Sequence, residues 1–165
     1  ITSYNTAINA CAKNGDFKGV EKIIAEVEAA GKQLDQVSYN TVIDMCAKRG
    51  DARGAESWAA RMQEAGSTWN ARTYTSMVLA HAKAGDMESA TSWFERASSE
   101  GVEHNAYVHS AMLNAHIRRR DLTKAEEFLD GAIANGLKPS VVLYTTIIDA
   151  FAKSGNAEKA VAWFE

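Results

Sequence analysis

Proline and cysteine are scarce in this chain. Its 165 residues include one proline, Pro139, and two cysteines, Cys11 and Cys46. Two cysteines do not make a disulfide framework. No apolar run approaches the ~20 residues that a membrane-spanning helix needs, so we expect no membrane segment. The single proline and the abundant alanine favour helices.

An excess of positive charge is also absent. The chain has 18 Lys and Arg against 21 Asp and Glu, a formal net charge of −3. Nucleic-acid-binding domains are usually basic, so this balance argues mildly against such a partner. The arrangement of charge counts for more than its sum, and RNA stays open. No charged-then-apolar leader follows Ile1, so we expect any targeting segment to lie upstream.

What the chain does have is a fixed repeat. Similar segments begin 35 residues apart. They are "SYNTAINACAKNGD", "SYNTVIDMCAKRGD", "TYTSMVLAHAKAGD", "VHSAMLNAHIRRRD" and "LYTTIIDAFAKSGN", starting at Ser3, Ser38, Thr73, Val108 and Leu143. A period of this length is typical of stacked helical hairpins. We therefore predict a single array over 1–165, with repeats 1–35, 36–70, 71–105, 106–140 and a truncated 141–165.

Each repeat has the pattern of two helices joined by a turn. Glycines that can end the first helix are Gly15, Gly50, Gly85 and Gly155. Residues suited to capping the second helix are Asp16, Asp51, Asp86, Asp121 and Asn156. Arg120 replaces the glycine of the fourth turn, which predicts a turn that is either strained or shaped differently. The second helices carry an apolar stripe that only stacked hairpins can bury, so we predict an all-α fold, an α-solenoid.

The first helix of each repeat carries a polar stripe opposite its apolar side when projected at ~100° per residue. Its middle offers a short hydrogen-bonding side chain: Asn5, Asn40, Thr75, Ser110 and Thr145. Its end offers a cation: Lys13, Lys48, Lys83, Arg118 and Lys153. Stacking would place these groups ~10 Å apart in an exposed row. Such a row suits single-stranded nucleic acid, with the cations on its phosphates.

Two features weaken the phosphate assignment. Cations near a helix C-terminus also interact favourably with the helix dipole, so a purely structural role remains open. Asp44 and Asp149 lie on the same stripe and would repel phosphate.

For the cysteine, histidine and tryptophan residues, the sequence predicts a role in packing. Four residues, Cys11, Cys46, His81 and His116, share one position of the repeat. Repeats ~10 Å apart cannot bring them within the ~2.0–2.3 Å that zinc requires, so we predict no metal site and no disulfide. Tryptophans expected in the core rather than against RNA are Trp58, Trp69, Trp93 and Trp163. No catalytic set recurs, so we predict no enzyme activity, cofactor or small-molecule substrate.

The "YNT" and "YTT" openings, the "AK-x-G-[DN]" turn and the "GLKPS" loop resemble the pentatricopeptide repeat family over the whole chain. The chain departs from the family pattern where Leu34, Trp69 and His104 replace a loop proline, His109 replaces a tyrosine, and Val108 and Leu143 replace a serine or threonine. The resemblance implies a right-handed superhelix of helix-turn-helix repeats, similar to tetratricopeptide arrays.

In that family each repeat is thought to read one RNA base with the residue after the tyrosine and the last residue of the repeat. The implied pairs are Asn5 with Asp35 for uracil, Asn40 with Asn70 for cytosine with some tolerance of uracil, and Thr75 with Asn105 for adenine. The implied core is 5′-U-C-A-3′. Ser110 with Ser140 is an uncommon pair that suggests a weak purine preference, and Thr145 suggests a purine.

The resemblance also assigns the second residue of each repeat to a position between bases. These residues are Thr2, which fits poorly, and Val37, Arg72, Tyr107 and Val142. The family implies a mitochondrial or chloroplast location and work in RNA processing or stability. Two alternatives stay open: a protein-binding helical scaffold, and the RNA-recognition part of a larger enzyme.

Overall fold

The computed structural model describes residues 2–164, with side chains from Tyr4 to Phe164, and this range contains ten α-helices and no strand. They are α1 (Thr2–Lys13), α2 (Phe17–Ala29), α3 (Gln36–Arg49), α4 (Ala52–Glu64), α5 (Ala71–Ala84), α6 (Met87–Ser99), α7 (Ala106–Arg118), α8 (Leu122–Ala134), α9 (Val141–Lys153) and α10 (Ala157–Ala162). The Thr2 side chain lies outside the described part. No helix within it is long and apolar enough to cross a membrane.

The helices fall into two compact units, Ile1–Val102 and Glu103–Glu165. In the first unit, α1 pairs with α2, α3 with α4, and α5 with α6, and α3 packs between α1 and α5. In the second unit, α7 pairs with α8 and α9 with α10, while α7 packs against α9. Within each unit, the first helices of successive repeats are therefore neighbours. The single array over 1–165 remains a prediction.

The turns have the predicted chemistry. Gly50 ends α3 in the left-handed conformation with φ 71°. The second helix of each repeat is capped by a side chain that accepts a backbone hydrogen bond: Asp16, Asp51, Asp86, Asp121 and Asn156. Arg120 adopts φ 59° at the position that glycine occupies in the other turns. Of the two predicted alternatives, the turn is strained and not differently shaped, because a Cβ is unfavourable in this conformation.

The core of the first unit lies between the two helix layers. Ile8, Ile43 and Val78 occupy equivalent positions on α1, α3 and α5, and none is exposed. Ala55 and Ala90 on the second helices are equally buried, and their small size permits close helix approach. In the second unit, Leu113, Leu129 and Ile147 form the corresponding core. The apolar stripes predicted from the sequence are the buried faces.

Trp69 packs as predicted. Its ring lies 5.0 Å from the Trp93 ring and edge-on to Tyr74 at 5.9 Å. Its indole nitrogen donates a hydrogen bond to the carbonyl of Ala59 over 3.1 Å. Arg96 covers both indole rings, with its guanidinium 4.7 Å from the Trp69 ring centre. Trp69 therefore fills the place of a loop proline as a core residue of the first unit.

Both cysteines are free thiols. Burial raises the pKa of the Cys46 thiol to about 11. The thiol is therefore protonated at neutral pH and poorly suited to nucleophilic chemistry. In the described part of the chain, no three His, Cys, Asp or Glu side chains are grouped so that they would hold a metal ion.

Candidate nucleic-acid interface

The predicted base-reading residues of the first repeat are hydrogen-bonded to each other. The Asn5 amide nitrogen donates to one Asp35 carboxylate oxygen over 2.5 Å. The other Asp35 oxygen accepts the backbone N–H of Ser38 over 2.9 Å and so caps α3. The Ser38 hydroxyl donates to the Asn5 amide oxygen. Three side chains from two successive repeats thus form one polar cluster, half-buried at Asn5 and Asp35.

Asp35 is ionised within this cluster at neutral pH. Burial opposes ionisation, but hydrogen bonds from the Ser38 backbone, the Asn5 amide and the Val37 backbone outweigh it. Together they hold the pKa of the Asp35 carboxyl below its usual value. The carboxylate therefore presents acceptors only, and it would favour a base that carries a hydrogen-bond donor.

The second repeat contains a similar polar cluster, but its geometry is different. The Thr73 hydroxyl donates to the Asn40 amide oxygen over 2.7 Å. It also accepts the backbone N–H of Asn70 over 3.2 Å. The Asn70 side chain caps α5 by accepting from the backbone N–H groups of Arg72 and Thr73. Asn40 and Asn70 are thus joined through Thr73, without the direct bond seen between Asn5 and Asp35.

The predicted exposure of Asn40 is wrong. Only 3% of this residue is exposed. The reason is packing: α3 lies between α1 and α5, whereas α1 has a first-helix neighbour on one side only within this unit. The buried Thr73 side chain on α5 closes over the polar edge of Asn40. The projection of one helix did not include this neighbour.

The other proposed base-reading residues are partly accessible. Thr75 in the first unit is half-buried, as is Ser110 in the second. Thr145 is exposed, and its hydroxyl donates to the carbonyl of Val141 on its own helix over 2.7 Å. Thr75 and Asn105 belong to different units, so their predicted pairing stays a prediction.

The last residue of each complete repeat has a second role that the repeat motif did not predict. Each caps the first helix of the following repeat with its side chain: Asp35, Asn70, Asn105 and Ser140. The signal was present, because Asp, Asn and Ser before an apolar run are strong N-cap signals. Capping fixes these side chains at a helix start, where they are held still while one edge stays accessible.

The second residues of the repeats are exposed, as the base-stacking prediction requires. Val37 is 59% exposed, Tyr107 65% and Val142 64%. The Arg72 side chain is 57% exposed. Exposed valine and tyrosine side chains beside a polar stripe are costly in water and available to flat apolar ligands. Their role between bases remains a prediction.

The predicted phosphate-binding cations are exposed, but several already have partners. Lys48 pairs with Asp44 over 2.9 Å, and Lys153 pairs with Asp149 over 2.5 Å. The Lys83 ammonium donates to the carbonyl of Lys48, the equivalent residue one repeat earlier, over 2.6 Å. Exposed pairs of this kind are worth only ~0.3–0.5 kcal/mol, so a phosphate can compete for them. Lys13 and Arg118 are also exposed.

The second unit has an open groove of about 510 Å³ between α7 and α9. Three proposed RNA-binding residues line it: Val142, Thr145 and Lys153. Asn114 on α7 and Asp149 on α9 complete its polar edge. The structure therefore brings an apolar, a hydroxyl and a cationic side chain of one repeat to a single concave surface.

A family model described as the pentacotripeptide-repeat region of PRORP matches residues 2–165. The chain belongs to the pentatricopeptide repeat family. No curated protein sequence matches it.

Solved pentatricopeptide repeat structures share this fold. The maize protein PPR10 matches with a TM-score of 0.83 at 18% identity, over 98% of this chain and 23% of that chain. PPR10 in complex with an 18-nt psaJ RNA element matches with a TM-score of 0.84 at 21% identity, over 98% of this chain and 24% of that chain. The present chain spans about a quarter of the length of these PPR10 chains. The predicted all-α solenoid class is confirmed.

A second group of similar structures comes from Arabidopsis thaliana. The PPR domain of protein-only RNase P 1 in complex with tRNA matches with a TM-score of 0.78 at 19% identity, over 95% of this chain and 83% of that chain. Nuclear proteinaceous RNase P 2 matches with a TM-score of 0.79 at 16% identity, over 99% of this chain and 37% of that chain. At these identities the likeness shows the shared fold.

Proposed function

We propose that this chain is a sequence-selective single-stranded RNA-binding module that reads one base per repeat. The observation that carries the proposal is the cluster of Asn5, Asp35 and Ser38. Two residues that the family resemblance pairs, and that lie 30 positions apart in sequence, hold each other at a partly accessible surface. The RNA complex of the similar protein PPR10 supports the same partner.

The chemistry of the cluster favours uracil at the first repeat. Uracil carries an N–H donor on the ring edge where cytosine carries an acceptor. The ionised Asp35 carboxylate accepts hydrogen bonds and repels an acceptor. The Asn5 amide nitrogen has two hydrogens, of which Asp35 takes one. The second is available for a pyrimidine carbonyl.

The second repeat is proposed to read cytosine, and the third adenine. The Asn40–Asn70 pair carries no charge, so it lacks the acceptor-only edge that selects uracil. Thr75 is short and leaves room for a purine. The burial of Asn40 means that only part of its amide would reach a base, so we expect this repeat to discriminate less sharply than the first.

A selection experiment tests this function. The 165-residue chain would be incubated with a random single-stranded RNA library at low salt, and bound molecules would be sequenced. We expect enrichment of 5′-U-C-A-3′, and a shift of the central base toward adenine for Asn40→Thr with Asn70 retained. Identical base rankings for parent and variant would show that repeats do not read single bases.

A second candidate function follows from the matched family model. The chain resembles the repeat region of PRORP and covers 83% of the protein-only RNase P 1 domain that was solved with tRNA. This favours an RNA-recognition region within a larger ribonuclease, acting on folded RNA. Binding to tRNA that exceeds binding to every single-stranded RNA would support it. An organellar location is proposed on the family resemblance alone.

A further inference from the structure

The hydroxyl groups of Ser38 and Thr73 contact the two asparagines proposed to read bases. Each is the third residue of a repeat, and each contacts the asparagine at position five of the preceding repeat, 33 residues earlier. Both side chains are buried, with Ser38 1% and Thr73 0% exposed. A buried hydroxyl held on an amide fixes the orientation of that amide.

The groups around each hydroxyl indicate the direction of its hydrogen bond. In the first cluster, the Asp35 carboxylate only accepts, so it must face the Asn5 nitrogen. The Asn5 oxygen then faces the Ser38 hydroxyl, which donates. In the second cluster, the Asn70 backbone N–H only donates to the Thr73 oxygen. The Thr73 hydrogen then has two acceptors within reach, the Asn40 amide oxygen at 2.7 Å and the Asn70 side-chain oxygen at 3.2 Å, and the shorter contact assigns it to Asn40.

In the sequence, asparagine at position five of a repeat occurs together with a hydroxyl residue at position three of the next repeat. The two repeats with asparagine at position five, Asn5 and Asn40, are each followed by a hydroxyl at position three of the next repeat. Where position five is Thr75 or Ser110, the next third residue is Val108 or Leu143, which has no hydroxyl. A primary amide has two ends that a hydroxyl can distinguish, whereas a threonine or serine side chain needs no such control.

We infer that Ser38 and Thr73 are positioning residues for base recognition, because they turn the Asn5 and Asn40 amides so that the nitrogen, and not the oxygen, is presented to the RNA base. This rests on the proposed function and adds a third determinant to each two-residue pair. A fixed N–H donor suits the ring carbonyl that uracil and cytosine share. An amide free to rotate by 180° would offer a donor or an acceptor and would accept purines more readily.

The test compares two threonines of similar burial. Thr73→Val removes the hydroxyl that holds Asn40 and keeps a β-branched side chain. Thr41→Val removes a buried hydroxyl in α3 that donates only to the Val37 carbonyl of its own helix. Thr73→Ser restores the hydroxyl. Binding would be measured for synthetic single-stranded RNAs of sequence U-X-A in a constant flank, with each of the four bases at X, and melting temperatures would confirm folding.

We expect Thr73→Val to lower the preference for pyrimidine over purine at X about fivefold, which corresponds to about 1 kcal/mol. Thr41→Val and Thr73→Ser should keep the parent preference. Ser38→Ala should have a smaller effect, at the first base only, because the Asp35 carboxylate still faces the Asn5 nitrogen; RNAs of sequence X-C-A measure it. If Thr73→Val binds and ranks the four RNAs as the parent does, the inference is wrong while the proposed function stands. If the parent ranks all four equally, the proposed base reading fails first.

A second measurement addresses orientation without RNA. In ¹⁵N-labelled protein, the Asn40 side-chain amide signals should shift toward those of a free asparagine amide in Thr73→Val and not in Thr41→Val. Unchanged signals in Thr73→Val would mean that the hydroxyl does not hold the amide. This result would overturn the inference even if base preference changed through loss of stability.

Discussion

The Asn5 amide nitrogen lies 2.5 Å from a carboxylate oxygen of Asp35, although the two residues are 30 positions apart. Asp35 also caps α3 through the Ser38 backbone N–H. One carboxylate therefore stabilises a helix and contacts the residue that the family resemblance pairs with it. Substitutions that separate these two roles give the sharpest tests.

Asp35→Asn should change base preference with little loss of stability. Asparagine caps helices about as well as aspartate, so we expect a stability change below ~1 kcal/mol. The acceptor-only edge is lost, and the first repeat then has the same residue pair as the second. Preference at the first base should move from uracil toward cytosine by several-fold. Titration against U-C-A and C-C-A RNAs measures this preference. An unchanged ratio of the two dissociation constants would contradict the assignment of uracil to the Asn5–Asp35 pair.

The same variant should alter the pH dependence of folding. The pKa of Asp35 is lower in the folded chain than its ordinary value, so its ionised form stabilises the fold above the unfolded pKa of ~3.9. That contribution to stability is lost as the pH falls through the pKa of Asp35 in the folded chain. Urea unfolding from pH 7 to pH 3 should therefore show the parent's advantage over Asp35→Asn shrinking below about pH 4. A difference in the free energy of unfolding between parent and variant that stays constant across this pH range would contradict the prediction.

Arg120→Gly should stabilise the chain. Arg120 adopts φ 59°, a conformation that costs a non-glycine residue ~1–2 kcal/mol. Glycine removes this strain but loses more entropy on folding, so we expect a net gain of ~0.5–1 kcal/mol in the free energy of unfolding. Arg119→Gly is the matched control, because Arg119 has φ −77° and should lose stability. Equal effects of both substitutions in urea unfolding would argue against strain at Arg120.

Asp44→Asn should strengthen RNA binding. Asp44 pairs with Lys48 over 2.9 Å and lies 4.0 Å from Arg72. Its removal frees two cations on the proposed surface and deletes a charge that repels phosphate. We expect affinity to rise about two- to fivefold in low salt, since surface charge interactions are worth ~0.2–1 kcal/mol.

Glu64→Gln, an equal charge change at the exposed end of α4, is the control for Asp44→Asn. The salt slope should become steeper by ~0.7 for each phosphate newly neutralised. A gain of the same size in both variants would indicate a general charge effect and no phosphate site at Lys48.

The sequence alone determined the repeat period, the helix pairs, the turns and the buried stripes. These features are local: apolar spacing selects the buried face, and glycine, aspartate or asparagine at a turn selects the helix end. The strain at Arg120 was predictable for the same reason. The family resemblance supplied the pairing of Asn5 with Asp35, which no local pattern indicates.

Tertiary structure decided which polar side chains are accessible and which way they point. Asn5 and Asn40 occupy the same place in the repeat, yet Asn40 is buried because α3 has first-helix neighbours on both sides. The contacts of Ser38 and Thr73 also cross from one repeat to the next. Exposure and hydrogen bonding between helices depend on residues distant in sequence, so no projection of a single helix can supply them.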